Sequence, residues 1–383
     1  MNLDPNEALI CAVLRGESPL WPEDRSAGLV DRFLERSKYH GVQALLNERL
    51  NGARNGPPVI LNALHRQAIT RTVWELCHQQ VLTQLLSVLA KISIRPVIFK
   101  GTALAYSLYT KPMSRERGDT DLIIQQQDHV RAHDALTSLG YNLIAGIRGE
   151  FISYQASYAL KSPERGTHLV DLHWRINNSE LLSRLFSYDE LRCQAAPLTG
   201  LCADAIAAGP VHGLLLACMH RATHKQNPYY VDGSAYYGGD RLIWLCDIHL
   251  LASCFTARQW HDFVKEAKRK GLCAVCLEGI QHARARFHTR IPEFVVAALE
   301  EPVATEDVAI YLSASKLRQQ WIDFSTIDGV SNQLHFLREL FFPPAVYMRS
   351  KYPEARPSWL PWLYVRRCVG GIIKRLSASR QTP

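Results

Sequence analysis

The chain has 383 residues, 47% hydrophobic and 21% charged, enough apolar material for two or three domains or one elaborated core. Its net charge of +8 is a property of the tail, where eight basic residues between Phe341 and Pro383 face one acid, Glu354. The rest of the chain is close to neutral and carries no nucleic-acid motif, so nucleic acid is not expected as a partner.

The start, "MNLDPNEALICAVLRG", lacks a basic segment leading into an apolar core, so no signal peptide is expected. Residues 1–95 read as a helical region. "AGLVDRFLERSKYHGVQALLNERL" and "RQAITRTVWELCHQQVLTQLLSVLAKI" carry apolar residues at helical spacing, and "NGARNGPP" separates them as a turn. Residues 96–200 read as a compact α/β core. "PVIFKG" is a short buried strand, "TALAYSLYT" a helix, "KPMSRERG" a polar loop and "DTDLIIQ" a second strand. "QDHVRAHDALTSLG" is a helix with Gly140 as its stop. "YNLIAG" is a third strand, and "FISYQASYALK" and "THLVDLHWRI" pair around the tight loop "SPERG". The order is β-α-β-α-β-β-β.

Residues 201–340 read as a helical domain. "GPVHGLLLACMHRATHK" and "GGDRLIWLCDIHLLASC" are its strongest helices, joined by a tyrosine- and glycine-rich loop, "QNPYYVDGSAYYGG". Residues 341–383 form a basic tail punctuated by Pro and Trp. No apolar stretch reaches the roughly 18 residues of a membrane span. Ten irregularly spaced cysteines fit free thiols in a reducing compartment, so a cytoplasmic location is expected. The single CxxC, Cys273 and Cys276, has no second pair to complete a zinc site.

The chemistry concentrates in "RERGDTDLII", Arg115 to Ile124. Side chains on a strand alternate faces, so Asp119 and Asp121 point the same way, about 6.5–7 Å apart at Cα. Two carboxylates on one face repel each other unless a cation lies between them. Magnesium takes oxygen ligands and favours one or two carboxylates together with phosphate oxygens. "THLVDLHWRI" puts a third acid, Asp171, inside an apolar strand, with His173 on its face. A lone acid there is costly to bury. Either it joins the first two at one point, or it faces water from an edge strand. Upstream, Lys100-Gly101 ends a strand and Thr102 enters a helix, whose N-terminus suits phosphate. Arg115 and Arg117 either clamp phosphate oxygens or solvate the loop. The Arg117-Gly118-Asp119 triplet reads as an incidental match to an adhesion signal.

The order "KG", helix, "R–GDTDLII" and "VDLHW" resembles the nucleotidyltransferase superfamily that includes DNA polymerase β. More closely, it resembles its bacterial branch, the uncharacterised nucleotidyltransferase family. "HGLLLACMHRATH" and "DRLIWLCDIHLLA" are similar to that family's helical half, and the resemblance covers residues 30 to 350. It implies an α+β fold, with a small mixed-sheet core and helical N- and C-terminal regions. It implies metal binding and catalysis by Asp119, Asp121 and Asp171, using Mg²⁺ or Mn²⁺, with a nucleoside triphosphate as co-substrate and an unidentified acceptor. Lys100-Gly101 matches the phosphate-facing turn, and Thr102 departs from the Gly-Ser or Gly-Gly that the superfamily usually has there.

His220 and His224 share a helix face. They line the nucleotide cleft, as the resemblance suggests, or are satisfied core histidines. A zinc-protease reading would need Glu where Arg221 stands. Arg241 either reaches phosphate or pairs with Asp240 or a neighbouring acid. The candidate substrate-contacting set is therefore Lys100, Gly101, Thr102, Arg115, Arg117, His173, His220, His224 and Arg241. In the tail, Trp359 and Trp362 are expected to pack on the body and leave the charges in water; contact with an acidic surface is the alternative. Three functions stay open: a nucleotidyltransferase, a DxD glycosyltransferase using a nucleotide sugar, and a non-catalytic nucleotide-binding protein.

Overall fold

The computed structural model describes residues 4–21, 27–51, 56–146, 149–162, 166–225, 229–231, 234–236, 239–301, 306–354 and 359–378. The N-terminal helices are α1 (Pro5–Leu14), α2 (Ala27–His40), α3 (Gln43–Leu50) and α4 (Pro58–Lys91). Asp4 caps α1 by accepting from the Asn6 N–H at 2.8 Å. Pro58 opens α4, where a missing N–H costs nothing. The core then runs β1 (Val97–Phe99), α5 (Lys100–Ser107), β2 (Asp119–Ile123), α6 (His129–Ser138), β3 (Asn142–Leu143), β4 (Gln155–Ser162) and β5 (Gly166–His173). This is the predicted strand and helix order. Gly140 ends α6 at φ +86°, and the Tyr141 N–H returns to the Leu136 carbonyl, a Schellman closure. Residues 163–165 of the "SPERG" loop and 52–55 of the "NGARNGPP" turn lie outside the described residues.

Beyond β5 come α7 (Glu180–Ser183), α8 (Tyr188–Cys193), β6 (Ala196–Pro197), β7 (Ile206–Ala207), α9 (Pro210–His224), β8 (Tyr229–Val231), β9 (Ser234–Tyr236) and α10 (Leu242–Ser253). They are followed by α11 (Ala257–Arg269), α12 (Cys273–Phe287), α13 (Glu293–Glu300), α14 (Asp307–Ser313), α15 (Lys316–Thr326), α16 (Val330–Phe341), α17 (Ala345–Lys351) and α18 (Leu360–Ala378). The "QNPYYVDGSAYYGG" segment is not only loop, since β8 and β9 pair antiparallel within it; its remaining residues, apart from Gly239, lie outside the described set. Among the described residues, no helix is long and apolar enough to cross a membrane.

One mixed sheet, ordered β3-β4-β5-β2-β1-β7-β6, divides two apolar cores. On one face, Leu122, Val170 and Leu172 pack with Leu82, Leu85 and Leu89 of α4 and Leu136 of α6. On the other, Phe99 and Ile123 join a larger core made by α1–α3 and α9–α14. The helices before residue 95 are thus split between the two cores. The sheet also continues past residue 200, because β7 pairs in parallel with β1. A two-residue strand has no periodicity to read. The fold is α+β with helical flanks, as the sequence pattern indicates.

Candidate active site

The β1–α5 junction carries the first functional side chain. Lys100 opens α5 in the left-handed region, at φ +57°. That conformation costs a residue with a Cβ roughly 1–2 kcal/mol. An ion pair opposes the strain: Lys100 Nζ lies 2.6 Å from Asp121 Oδ1. Gly101 follows at close quarters, since a Cβ there would sit 3.4 Å from Arg117 Cβ. Thr102 points under the cleft rather than into it. Its hydroxyl bonds that of Thr120 at 2.8 Å and accepts from Arg117 Nε at 2.9 Å. It positions the turn and does not line the cleft.

Asp121 and Asp171 meet because β2 and β5 run parallel in register, and His173 rather than Asp119 completes the compact cluster. Asp121 pairs with Asp171, and Asp119 lies two residues earlier on the same face. Thr120, on the opposite face, is buried and bonds His78 Nε2 at 2.8 Å. His173 follows Asp171 on its face, with Nε2 2.9 Å from Asp121 Oδ1. Ligand atoms of Asp121, Asp171 and His173 lie within 4.8 Å of one another. Asp171 also accepts from Gln155 Nε2 at 3.3 Å, so it is a cleft residue rather than a water-facing edge acid.

Charge in this cluster is unevenly held. Burial would raise the Asp121 carboxyl, but the Lys100 charge and the His173 hydrogen bond outweigh it and hold the group well below the usual range. Desolvation, with the like charges of Asp121 and Asp171, pushes Asp119 up to about 7. Asp119 is exposed to the cleft, so this is crowding by a cleft wall rather than burial in a closed core. The carboxylates of Asp121 and Asp171, with Asp119 beside them on the cleft wall, are hard oxygen donors of the kind that suit a divalent cation. Among the described residues a second acid–histidine cluster, Glu190, His212 and Glu266, has no such vacancy of charge. Lys270 Nζ lies 2.7 Å and an Arg269 nitrogen 2.8 Å from Glu190.

A cavity of about 590 Å³ opens in front of the acids. Lys100, Gly101, Arg115, Arg117, His173, His220, His224 and Arg241 all contribute to its wall. The two loop arginines, read as phosphate clamps or loop solvators, are each held in a buried ion pair at the cleft wall. Arg115 makes a forked ion pair with Asp247, at 2.7 Å to Oδ2, and Arg117 pairs with Glu75 at 2.6 Å; all four side chains are buried. Asp240 is taken by Arg221 and His282 rather than by Arg241, whose Nε donates to the Tyr39 carbonyl at 2.6 Å. His220 and His224 lie 4.4 Å apart between ring centroids, with His220 also edge-on to Trp244. Burial keeps the His220 imidazole neutral and lowers His224 to about 4. Cys273 and Cys276 are buried in α12 and belong to no candidate metal cluster among the described residues. Trp359 and Trp362 are both exposed, contrary to the expectation that they pack on the body.

Other cleft residues escaped the sequence reading. Asn177, Asn178 and Ser179 follow β5, and Tyr311, Lys316, Gln319 and Asp323 come from α14 and α15. The only linear signal for the last group is the spacing of Lys316, Gln319 and Asp323, which puts them on one helix face.

A family model described as uncharacterised nucleotidyltransferase matches residues 27–288. The chain belongs to this family. No curated protein matches it. The match takes in every acid, cation and histidine predicted for the site, and it ends before α13.

Proposed function

We propose that this nucleotidyltransferase moves a nucleoside monophosphate from a nucleoside triphosphate to a small-molecule, sugar or peptide acceptor, releasing pyrophosphate. One observation carries the reading: Asp119, Asp121 and Asp171 occupy one face of adjacent strands, at the wall of a cleft large enough for a nucleotide. Mg²⁺, or Mn²⁺ in its place, held by these acids would stabilise charge on the attacking and leaving oxygens.

The residues divide the remaining work. Asp171 stands where it can accept the proton of the acceptor hydroxyl or hold the acceptor-side ion. His173 orients Asp121 through its Nε2. The amides at the start of α5 face phosphate, with Gly101 allowing close approach. His220 and His224 stay neutral and bound the nucleotide side of the cleft. The protein mainly positions the reactants and offsets charge.

The test is incubation with each triphosphate, Mg²⁺ and candidate acceptors, followed by mass spectrometry. The expected product is an acceptor heavier by one nucleoside monophosphate, lost with Asp121→Asn and Asp171→Asn. A sugar-sized increment from a nucleotide sugar, with none from any triphosphate, would overturn the reading.

A further inference from the structure

Helix α15 lies beyond the family match and lays a polar face along the cleft. Lys316, Gln319 and Asp323, at i, i+3 and i+7, face the cleft that holds Asp119 and Asp171. Leu317 and Trp321 face solvent and are 56% and 66% exposed. The apolar anchors of the helix are Ile322, against the larger core, and Phe324, against Phe336. Polar contacts hold this arrangement. Asp323 accepts from Ser179 Oγ at 2.7 Å, from Tyr311 OH at 2.9 Å and from the Leu181 N–H at 3.3 Å. Gln319 Nε2 donates to the Tyr311 carbonyl at 3.0 Å. The helix is therefore pinned to the start of α7 two turns below Lys316.

The other cations of the cleft are committed. Lys100 lies on Asp121, Arg115 on Asp247 and Arg117 on Glu75, and Arg241 holds the Tyr39 carbonyl. Lys316 has no partner among the described residues, and its charge is felt across the cleft by His224. A triphosphate brings more negative charge than a single divalent ion offsets. Lysine meets phosphate as a flexible point charge.

We propose that Lys316 binds the β- and γ-phosphate oxygens of the nucleotide, so that α15 closes the triphosphate end of the cleft. This rests on the nucleotidyltransferase reading above. It assigns a role in the reaction to a segment that the family model does not cover.

Isothermal titration tests it without knowledge of the acceptor. The probes are the α,β-methylene analogues of ATP, GTP, CTP and UTP with Mg²⁺, and the four monophosphates. Lys316→Ala and Lys316→Gln should weaken the preferred triphosphate analogue about tenfold, the scale of one charge-assisted hydrogen bond. Lys316→Arg should retain most of the affinity. Monophosphate binding should be the same in all four proteins, and the variants should melt with the wild type because the side chain is exposed. Triphosphate affinity within twofold of wild type in Lys316→Ala, as for a lysine that holds an acceptor anion, overturns the inference and leaves the nucleotidyltransferase reading standing. An equal loss for monophosphate also overturns it. Failure of the wild type to bind any triphosphate analogue overturns the underlying reading as well.

Discussion

Asp247→Ala separates a structural from a phosphate-binding role for Arg115. Asp247 accepts from Arg115 Nε at 3.0 and 3.1 Å, from Arg115 Nη2 at 2.7 Å and from Tyr109 OH at 2.8 Å. The two charged side chains are only 7% and 4% exposed. Truncating the acid leaves a guanidinium in the protein interior with the Glu116 carbonyl, 2.6 Å from Nη1, as a remaining partner. Removing one member of such a pair costs about 3–5 kcal/mol. Arg115→Met should cost a similar amount by stranding the carboxylate. The double variant, Arg115→Met with Asp247→Leu, should recover most of the loss, because neither charge is then buried alone. Urea unfolding followed by far-UV circular dichroism gives the stabilities, and titration with a triphosphate analogue gives the affinities. Both single variants should be destabilised and the double variant should bind nucleotide. The reasoning fails if both singles lose less than about 1 kcal/mol and Arg115→Met alone loses nucleotide affinity.

At Lys100, glycine and alanine both remove the ion pair with Asp121, so their difference reports the left-handed backbone. Lys100→Gly should be more stable than Lys100→Ala by about 1 kcal/mol; equal melting temperatures would exclude strain at φ +57°. Acid sensitivity should appear at the joint between α1 and α2. There the His40 hydrogen bond and the nearby Arg36 charge hold Glu7 at about 2. A depressed carboxyl contributes stability above its unfolded value, near pH 4.5, and loses it as pH falls toward 2. Glu7→Gln should therefore be less stable than wild type at pH 7, by at most about 3 kcal/mol. The gap should close on acidification below pH 4.5, and a gap independent of pH would refute the link. Asp171→Asn should keep the fold, since its strand pairing is backbone-borne, and abolish Mg²⁺-dependent nucleotide binding; unchanged Mg²⁺ dependence in titration would remove Asp171 from the metal site.

The acids were legible in sequence because a period of two is rigid. Once "DTDLII" is a strand, Asp119 and Asp121 must share a face, and Asp171 joins them if its strand is the neighbour. The strand neighbours themselves follow from pairing that no local pattern encodes. Charge was the least legible feature. Arg115 and Arg117 look poised for phosphate, but their partners lie 132 residues later and 42 residues earlier, and only the folded chain brings Asp247 and Glu75 beside them. At α15 a helical spacing of Lys316, Gln319 and Asp323 is all the sequence offers, and their place on the cleft comes from the fold.

These departures cluster around one place. A lysine in a left-handed conformation, an aspartate whose carboxyl is pushed up to about 7 by desolvation and like charges, and a helix with a polar face on the cleft each depart from a local rule. All three border the same cavity of about 590 Å³. The raised Asp119 and Lys316, unpaired among the described residues, would both ease if a polyanion and a cation entered together. A cation between the acids would lower Asp119, and phosphate oxygens would give Lys316 a partner. Left-handed Ser93 and His288 lie elsewhere in the fold, but at Lys100 the backbone strain coincides with clustered acids and a polar helix face, the combination expected of a site built for a charged ligand.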